Sequence, residues 1–150
     1  MTEHSEQLLA LVRNVKLNSI EYFELTARRQ MDLSPLEEGR VDVEPNYTLG
    51  TQVAESGERF LLRLKVEFKS EVGHFAAEAG AEYSVTSSDS IELSETLLVE
   101  FANEVGIMAL LPYLRQAIAD LTQRVFGLPL LMPVLQRGEL TFGKPDELDS

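Results

Sequence analysis

Side chains that could catalyse a reaction are few in this sequence, and their spacing is unsuitable. The histidines are His4, close to the N-terminus, and His74, and cysteine is absent. A nucleophilic site needs an activated hydroxyl or thiol with a base in hydrogen-bond reach. Glu78 follows His74 by four positions, or about 13 Å along a strand, which is too far for both to hold one metal ion. We expect His74 to be a satisfied or solvent-exposed histidine.

Carboxylate pairs and glycines are the other candidates for polar chemistry. Glu37-Glu38 and the pair Asp42 and Glu44 flank a loop and a solvated strand face, which favours a surface role over acid–base catalysis. Gly73 and Gly80 lack the strand-to-helix turn that surrounds a phosphate-binding loop. The sequence therefore predicts a protein that is not an enzyme, with no catalytic residue, no cofactor and no metal site.

Composition narrows the class of protein further. Lys and Arg number 13 against 25 Asp and Glu, so the net charge is -12, which argues against nucleic-acid binding. Disulfides and thiolate zinc sites are excluded because cysteine is absent. The acidic N-terminus lacks the basic region of a signal peptide, and no apolar run approaches the roughly 18 residues that span a bilayer. We expect a single domain over residues 1–150 that is cytoplasmic and does not enter a membrane.

A surplus of apolar side chains is the most distinctive chemistry of the chain. One strand face and one helical stripe can form the core together, and three groups remain: Tyr22, Phe23 and Leu25; Met31, Leu33 and Leu36; and residues 126–134. Pro129 and Pro133 exclude a helix in the last group. These side chains are either ordinary core and subunit interface or a groove for an extended apolar peptide.

Three segments have the period-two alternation of strands with one solvated face, at residues 41–53, 60–68 and 75–85. An earlier segment alternates less regularly, and its phase slip at Asn18-Ser19 predicts a β-bulge. Residues 5–13 could instead be one or two turns of helix. Residues 28–38 are too long for a tight turn and predict a crossover connection.

A long helix is predicted after the strands. Ser90 and Ser94 are the candidate N-caps, and an apolar stripe runs from Leu97 to Val125. Pro112 either kinks this helix or begins a second one. Gly127 is the expected stop, and residues 139–150 are expected to form a loose acidic tail.

The helix and the segment after it also carry a family resemblance. Leu110-Leu111, then Pro112-Tyr113-x-Arg115-x-x-Ile118-x-x-Leu121-x-x-Arg124, then apolar residues from Phe126 to Pro133-Val134, resemble the SecB export chaperones. The motif covers about thirty residues, and the strand order extends the resemblance over residues 11–134. It implies an α+β fold, with a four-stranded antiparallel sheet, a crossover after the first strand and a long kinked helix behind it.

The resemblance implies an ATP-independent holdase for unfolded or preprotein chains, assembled as a homotetramer that is a dimer of dimers. Its implied partners are the SecA motor or, for SecB-like chaperones dedicated to toxin–antitoxin pairs, an antitoxin. Glu78, in Phe75-x-x-Glu78, matches a family residue for SecA docking. The implied peptide groove comprises Tyr22, Phe23, Met31, Leu33, Phe126, Leu128, Leu130, Met132 and Val134. The implied oligomer interface comprises Phe101, Val105, Met108, Tyr113, Ile118 and Leu121.

Two features depart from the export chaperones. On the first strand, the export chaperones have an acidic residue for docking where this chain has Asn18 or Ser19. Residues 135–145 contain two glycines and a proline where those proteins have a second amphipathic helix, so a helix is not expected. These departures argue against dependence on SecA. The alternative from another class is an acidic oligomeric adaptor module that binds no unfolded chain.

Overall fold

The computed structural model describes residues 3–30, 44–70, 73–87 and 91–143. It has a four-stranded antiparallel sheet, with one helical region before the strands in the chain and one after them. The first part of the chain consists of α1 (Glu3–Arg13), β1 (Val15–Arg29), β2 (Asn46–Val53), β3 (Arg59–Ser70) and β4 (Gly73–Val85). The second part consists of α2 (Glu95–Phe101), a π-helical turn (Ala102–Gly106) and α3 (Ile107–Phe126). The alternative left open for residues 5–13 is thus settled as helix.

The order of strands in the sheet is β1-β4-β3-β2. Because β1 and β2 follow one another in the chain but lie at opposite edges, their connection must cross the sheet, as predicted. Strand β1 continues to Arg29, beyond the start expected for the crossover, and β2 begins at Asn46 rather than at residue 41. Residues 31–43, with the predicted groove residues Met31 and Leu33, lie outside the described residues.

Alternation along β3 and β4 separates a core face from an outer face, as the sequence predicted. Phe60, Leu62 and Leu64 are buried against the helices, whereas Arg63 and Lys65 point to the outer face. The small side chains of β4, Ala77, Ala79 and Ala81, are fully buried beside α3. Short alanines allow the helix to approach the sheet closely.

The helical region after β4 is continuous from residue 95 to residue 126. It begins at Ser94, whose hydroxyl accepts a hydrogen bond from the Leu97 N–H at 3.2 Å, and it ends at Gly127 in the left-handed conformation, with φ of 85°. Pro112 lies inside α3 rather than at a helix start. The region is long and apolar enough to cross a membrane, but 56% of its most apolar stretch is buried inside this fold, as in a core helix.

The chain that follows α3 packs some of its side chains against the core. We name residues 127–134 the post-helix segment and residues 135–143 the terminal segment. Leu135, Leu140 and Phe142 pack against the core, and Asn103 bonds both backbone groups of Phe142. Leu140 and Phe142 are therefore docked on the core, within the stretch that the sequence predicted as a loose tail from residue 139. Residues 144–150 lie outside the described residues.

Candidate functional site

Strand β1 has two irregularities, and the second decides which side chains share a face. Its register with β4 shifts between Leu17 and Ser19, close to the predicted bulge, and again between Tyr22 and Glu24. Tyr22 pairs with Ala79 and Leu25 with Ala77, so both lie on the helix face of the sheet. Phe23 lies on the outer face, where its ring covers Gly80 and the guanidinium of Arg63 at 4.3 Å.

Tyr22 and Phe23, which the sequence assigned to one peptide groove, therefore lie on opposite faces. Each is 43% exposed. Successive strand residues face opposite sides, and the bulge at Phe23 then returns Leu25, rather than Glu24, to the face of Tyr22. Of the two, Tyr22 is the residue that borders a groove between the sheet edge and the helix.

That groove, which we name the edge groove, lies between β1 and α3 and has a volume of about 540 Å³. Its lining comprises Tyr22, Leu25, Gln116, Ala117, Ala119, Asp120, Leu121, Gln123 and Pro129. The floor is apolar, and the amides of Gln116 and Gln123 and the carboxylate of Asp120 supply polar groups. An apolar groove with a few polar groups is the usual form of a site for an amphipathic or apolar ligand.

Tyr22 is fixed in the groove by a hydrogen bond and a ring contact. Its hydroxyl donates to the backbone oxygen of Tyr113 at 3.0 Å, and the two rings meet edge to face with centroids 6.4 Å apart. Partial burial, and then the neighbouring Tyr113 hydroxyl, raise the pKa of Tyr22 above its ordinary value. The phenol therefore remains neutral at physiological pH and presents its ring as a stationary apolar surface.

The post-helix segment has both buried and exposed apolar side chains. Met132 is only 6% exposed and Leu130 is half-buried, whereas Leu128, Leu131 and Val134 are exposed, at 48%, 76% and 70%. The buried side chains hold the segment on the core. We name the exposed ones, which are three residues apart in the chain, the apolar ridge; Pro129, which follows the first of them, lines the edge groove.

Thr122 holds the start of the post-helix segment. Its hydroxyl donates to the Ile118 oxygen at 2.7 Å and accepts from the Leu130 N–H, also at 2.7 Å. Phe126, another predicted groove residue, packs instead at the core margin, with its ring 5.6 Å from that of Phe75. Of the predicted groove residues, Phe126, Leu130 and Met132 thus turn their side chains to the core, whereas Leu128 and Val134 are exposed to solvent.

The residues predicted for the oligomer interface differ in how deeply they are buried. Phe101 and Ile118 are completely buried in the core of this chain, which leaves them no surface for a second copy. Val105, Met108 and Leu121 are half-buried, and Tyr113 is exposed. Leu121 lines the edge groove together with Tyr22, and the ring of Tyr113 contacts that of Tyr22, so residues predicted for two separate surfaces lie close together.

The outer face of the sheet carries paired charges. Glu78 bonds Arg63 at 2.7 Å, Glu82 bonds Arg59 at 3.0 Å, and Glu24 bonds Lys65 at 3.1 Å. The side chain of Glu78, the predicted SecA-docking residue, is 17% exposed. Its carboxylate is thus occupied by a cation of the same chain.

Hydrogen bonds on this face shift the acidity of its carboxylates. The bonds from Lys65 and Thr26 lower the pKa of Glu24 below its ordinary value, and the bond from Glu24 raises the pKa of Lys65. His74 bonds Glu67 at 2.7 Å and lowers the pKa of that carboxyl. His74 is therefore a satisfied histidine, as predicted.

Several residues of the site were missed in the sequence. Leu131 is the most exposed apolar side chain of the post-helix segment, and Asn103 and Thr122 hold the chain that follows the helix. Alternation after Pro129 could have separated Leu131 from Met132, since an extended chain turns successive side chains to opposite sides. Asn103 and Thr122 carried no local signal, because each bonds backbone that lies beyond its own helix, at Phe142 and Leu130.

The structure is thus that of an acidic α+β chain with an open sheet, a long helix behind it and an apolar groove at the sheet edge. No model of a known protein family matches the sequence. The chain is 32% identical over 130 residues to the SecB-like chaperone SmegB of Mycolicibacterium smegmatis, a match that covers 87% of this chain and 80% of that protein. The protein therefore belongs to the SecB-like chaperone family.

A solved structure shows the same fold. It is the SecB-like chaperone of Mycobacterium tuberculosis in complex with a ChAD peptide from the HigA1 antitoxin. The TM-score is 0.73 at 20% sequence identity, over 88% of this chain and 98% of that one. The α+β fold with its open four-stranded sheet and long helix, and the resemblance carried by residues 112–134, are thereby confirmed.

Proposed function

We propose that this chain is an ATP-independent holdase that captures extended apolar segments of non-native polypeptides and performs no chemistry on them. The observation that carries the proposal is the edge groove, where Tyr22, Leu25 and Leu121 are partly open to solvent. The ridge of Leu128, Leu131 and Val134 would extend the binding surface. A client would lay alternate apolar side chains into the groove and along the ridge.

The energetics of this surface suit weak and promiscuous capture. Each Leu- or Phe-sized side chain that a client buries is worth about 1.5–3 kcal/mol. Two or three such contacts little more than offset the cost of association and of ordering the client. Useful affinity for a whole unfolded chain would come from several linked grooves, through effective concentration. The proposal therefore includes assembly of several copies, with a homotetramer as the expected form.

An antitoxin is the client we propose to test first. The M. tuberculosis protein of the same fold is bound to a peptide from an antitoxin, which supports a similar client here. Docking of SecA at Glu78 stays a prediction, and the occupation of that carboxylate by Arg63 is a reason to test it second. We propose the cytoplasm as the place of action, because preproteins and antitoxins are both made there.

Two adjacent residues of β1 provide a matched test of the groove. We would measure the affinity of reduced, carboxymethylated lactalbumin, which cannot refold, for the wild-type protein and for Tyr22→Ser and Phe23→Ser. Both side chains are 43% exposed, but only Tyr22 lines the groove. Loss of one aromatic contact should weaken binding about tenfold or more for Tyr22→Ser. Phe23→Ser should bind like the wild type.

Other results would contradict the proposal. Equal weakening by both substitutions would show that general apolar exposure, rather than the groove, binds the client. Absence of binding by the wild-type protein would favour the acidic adaptor module, in which the same side chains serve an interface between copies. Thermal melts of both variants would confirm that each is folded.

A further inference from the structure

The terminal segment is held on the helix by an unusual pair of hydrogen bonds. The side-chain amide of Asn103 donates from Nδ2 to the Phe142 oxygen at 2.9 Å, and its Oδ1 accepts from the Phe142 N–H at 2.8 Å. Asn103 belongs to the π-helical turn between α2 and α3. Single-turn π segments inside α-helices are frequently found at functional sites.

This arrangement recognises a polypeptide backbone without reference to sequence. One amide satisfies both the donor and the acceptor of a single extended residue, as a neighbouring strand would do. The side chain of that residue contributes only apolar contact, since Phe142 is half-buried against the core. Any residue except proline can offer the same two backbone groups.

The other attachments of the terminal segment are modest. Leu135 and Leu140 are half-buried on the core, and Arg137 lies 3.8 Å from Glu104 with both side chains largely exposed. The turn at residues 136–139 has one backbone bond, from Glu139 to the Gln136 oxygen, and places Gly138 at φ of 94°. A segment held by a few half-buried side chains belongs to the least stable part of a fold and can open locally.

We propose that Asn103 and the apolar surface beneath the terminal segment form a second subsite for extended apolar peptide, with this chain's own residues 135–143 as its resident occupant. A client strand takes the place of Phe142 on the Asn103 amide and displaces the segment. The inference rests on the proposed holdase function. It predicts that the resident segment reduces client affinity, because only molecules with an open subsite can bind there.

Hydrogen exchange in the full-length protein tests the displacement directly. With saturating carboxymethylated lactalbumin, the Phe142 amide should exchange at least tenfold faster, because its partner on Asn103 is lost. The Ala54 amide, bonded to the Arg59 oxygen at 2.9 Å between β2 and β3 and away from the edge groove, is the internal reference and should not change. An unchanged or slower rate at Phe142 with client bound would overturn the inference.

Full-chain variants test the competition. Phe142→Pro removes the N–H that Asn103 accepts, so we expect client affinity to rise at least threefold. The exposed neighbour Thr141→Ala is the control and should behave like the wild type. Adding Asn103→Leu to Phe142→Pro should cancel the gain, because the client loses the same amide.

The outcomes separate this inference from the proposed function. Unchanged affinity for Phe142→Pro, with normal binding by the wild type, would refute the second subsite and leave the holdase proposal intact. A gain that survives Asn103→Leu would show that the client does not use the amide. No binding by any variant would refute the proposed function itself.

Discussion

At the scale of single residues, neighbours in the chain have separate tasks. Leu131 is exposed and Met132 is buried, although the two are adjacent and both apolar. The extended backbone after Pro129 sends their side chains to opposite sides. The same rule separates Tyr22 from Phe23, and the bulge that follows brings Leu25 to the face of Tyr22. Binding and stability should therefore respond to different substitutions at adjacent positions.

The Leu131 and Met132 pair gives the first prediction. Leu131→Ser should leave the free energy of unfolding within about 0.5 kcal/mol of the wild type, as surface substitutions do, and should weaken client binding. Met132→Ala should cost about 2–5 kcal/mol, because it leaves a cavity in the core. Urea unfolding and client titration check both variants. A large loss of stability in Leu131→Ser would contradict the exposed ridge.

The ion pair of Glu24 and Lys65 gives a pH-dependent prediction. The folded state lowers the pKa of Glu24, so the pair stabilises the fold above the carboxyl's ordinary value of 4.5 and ceases to do so as pH falls through the lowered value. The folded state also raises the pKa of Lys65 above its ordinary value of 10.5, so the stabilisation by the ion pair is lost as pH rises through that raised value. Between these limits the contribution should be constant.

Glu24→Gln should therefore cost a few tenths to about 1 kcal/mol near neutral pH, the range of partly exposed ion pairs. The difference from the wild type should vanish in acid, where both proteins are uncharged at this position. Urea unfolding across the acid range measures it, with Glu21→Gln as the control for loss of one carboxylate on β1. A difference that persists in acid would show that the carboxamide disturbs packing instead.

At the scale of elements, two local departures from regular geometry shape the site. The bulge in β1 presents Tyr22 and Leu25 to the helix, and the π-helical turn presents Asn103 to the terminal segment. The turn also brings the helix close to β3. A Cβ built on Gly106 would lie 2.5 Å from the Cδ1 of Leu62, which is itself fully buried.

Gly106→Val should therefore destabilise the protein by about 1–3 kcal/mol, the usual cost of overpacking. Gly50→Val in β2 is the control, because its Cβ would meet the nearest atom, the Cβ of Arg63, at an ordinary 3.8 Å. Thermal unfolding of the two variants measures the contrast. Equal stability of both would mean that the helix does not depend on close approach at Gly106.

These elements also show what the sequence could predict. Alternation in β3 and β4, the Ser94 cap and the Gly127 stop result from local physical rules, and the structure confirms each. The first bulge left a phase slip at Asn18-Ser19, whereas the second, at Tyr22 to Glu24, was not predicted, because the adjacent aromatic residues Tyr22 and Phe23 were both assigned to the groove. The docking of Phe142 on Asn103 joins residues 39 positions apart, and no local pattern encodes such a contact.

At the scale of the whole molecule, the protein combines exposed apolar side chains with a net charge of -12. Like charge keeps molecules apart and so offsets the tendency of apolar surface to aggregate. Val105 and Met108, half-buried on the helical region, remain available for assembly with other copies. Specific assembly would then depend on the shape of the surface around Val105 and Met108, and not only on how apolar that surface is.

The expected assembly is a tetramer of the 16.8 kDa chain, which light scattering after size-exclusion chromatography measures directly. Substituting Lys for both Val105 and Met108 should lower the mass, because it places charge in the proposed interface. Thr141→Lys, at an exposed position of the terminal segment, is the control and should keep the wild-type mass. An unchanged mass for the double variant would remove these two residues from the interface.

Protection of an aggregating client tests the central claim most directly. A chemically unfolded client would be diluted with this protein and without nucleotide, and its aggregation followed by light scattering. We predict near-complete suppression at about equimolar protein, with protection reduced by Tyr22→Ser and kept by Phe23→Ser. Unchanged aggregation in the presence of excess wild-type protein would contradict the holdase account.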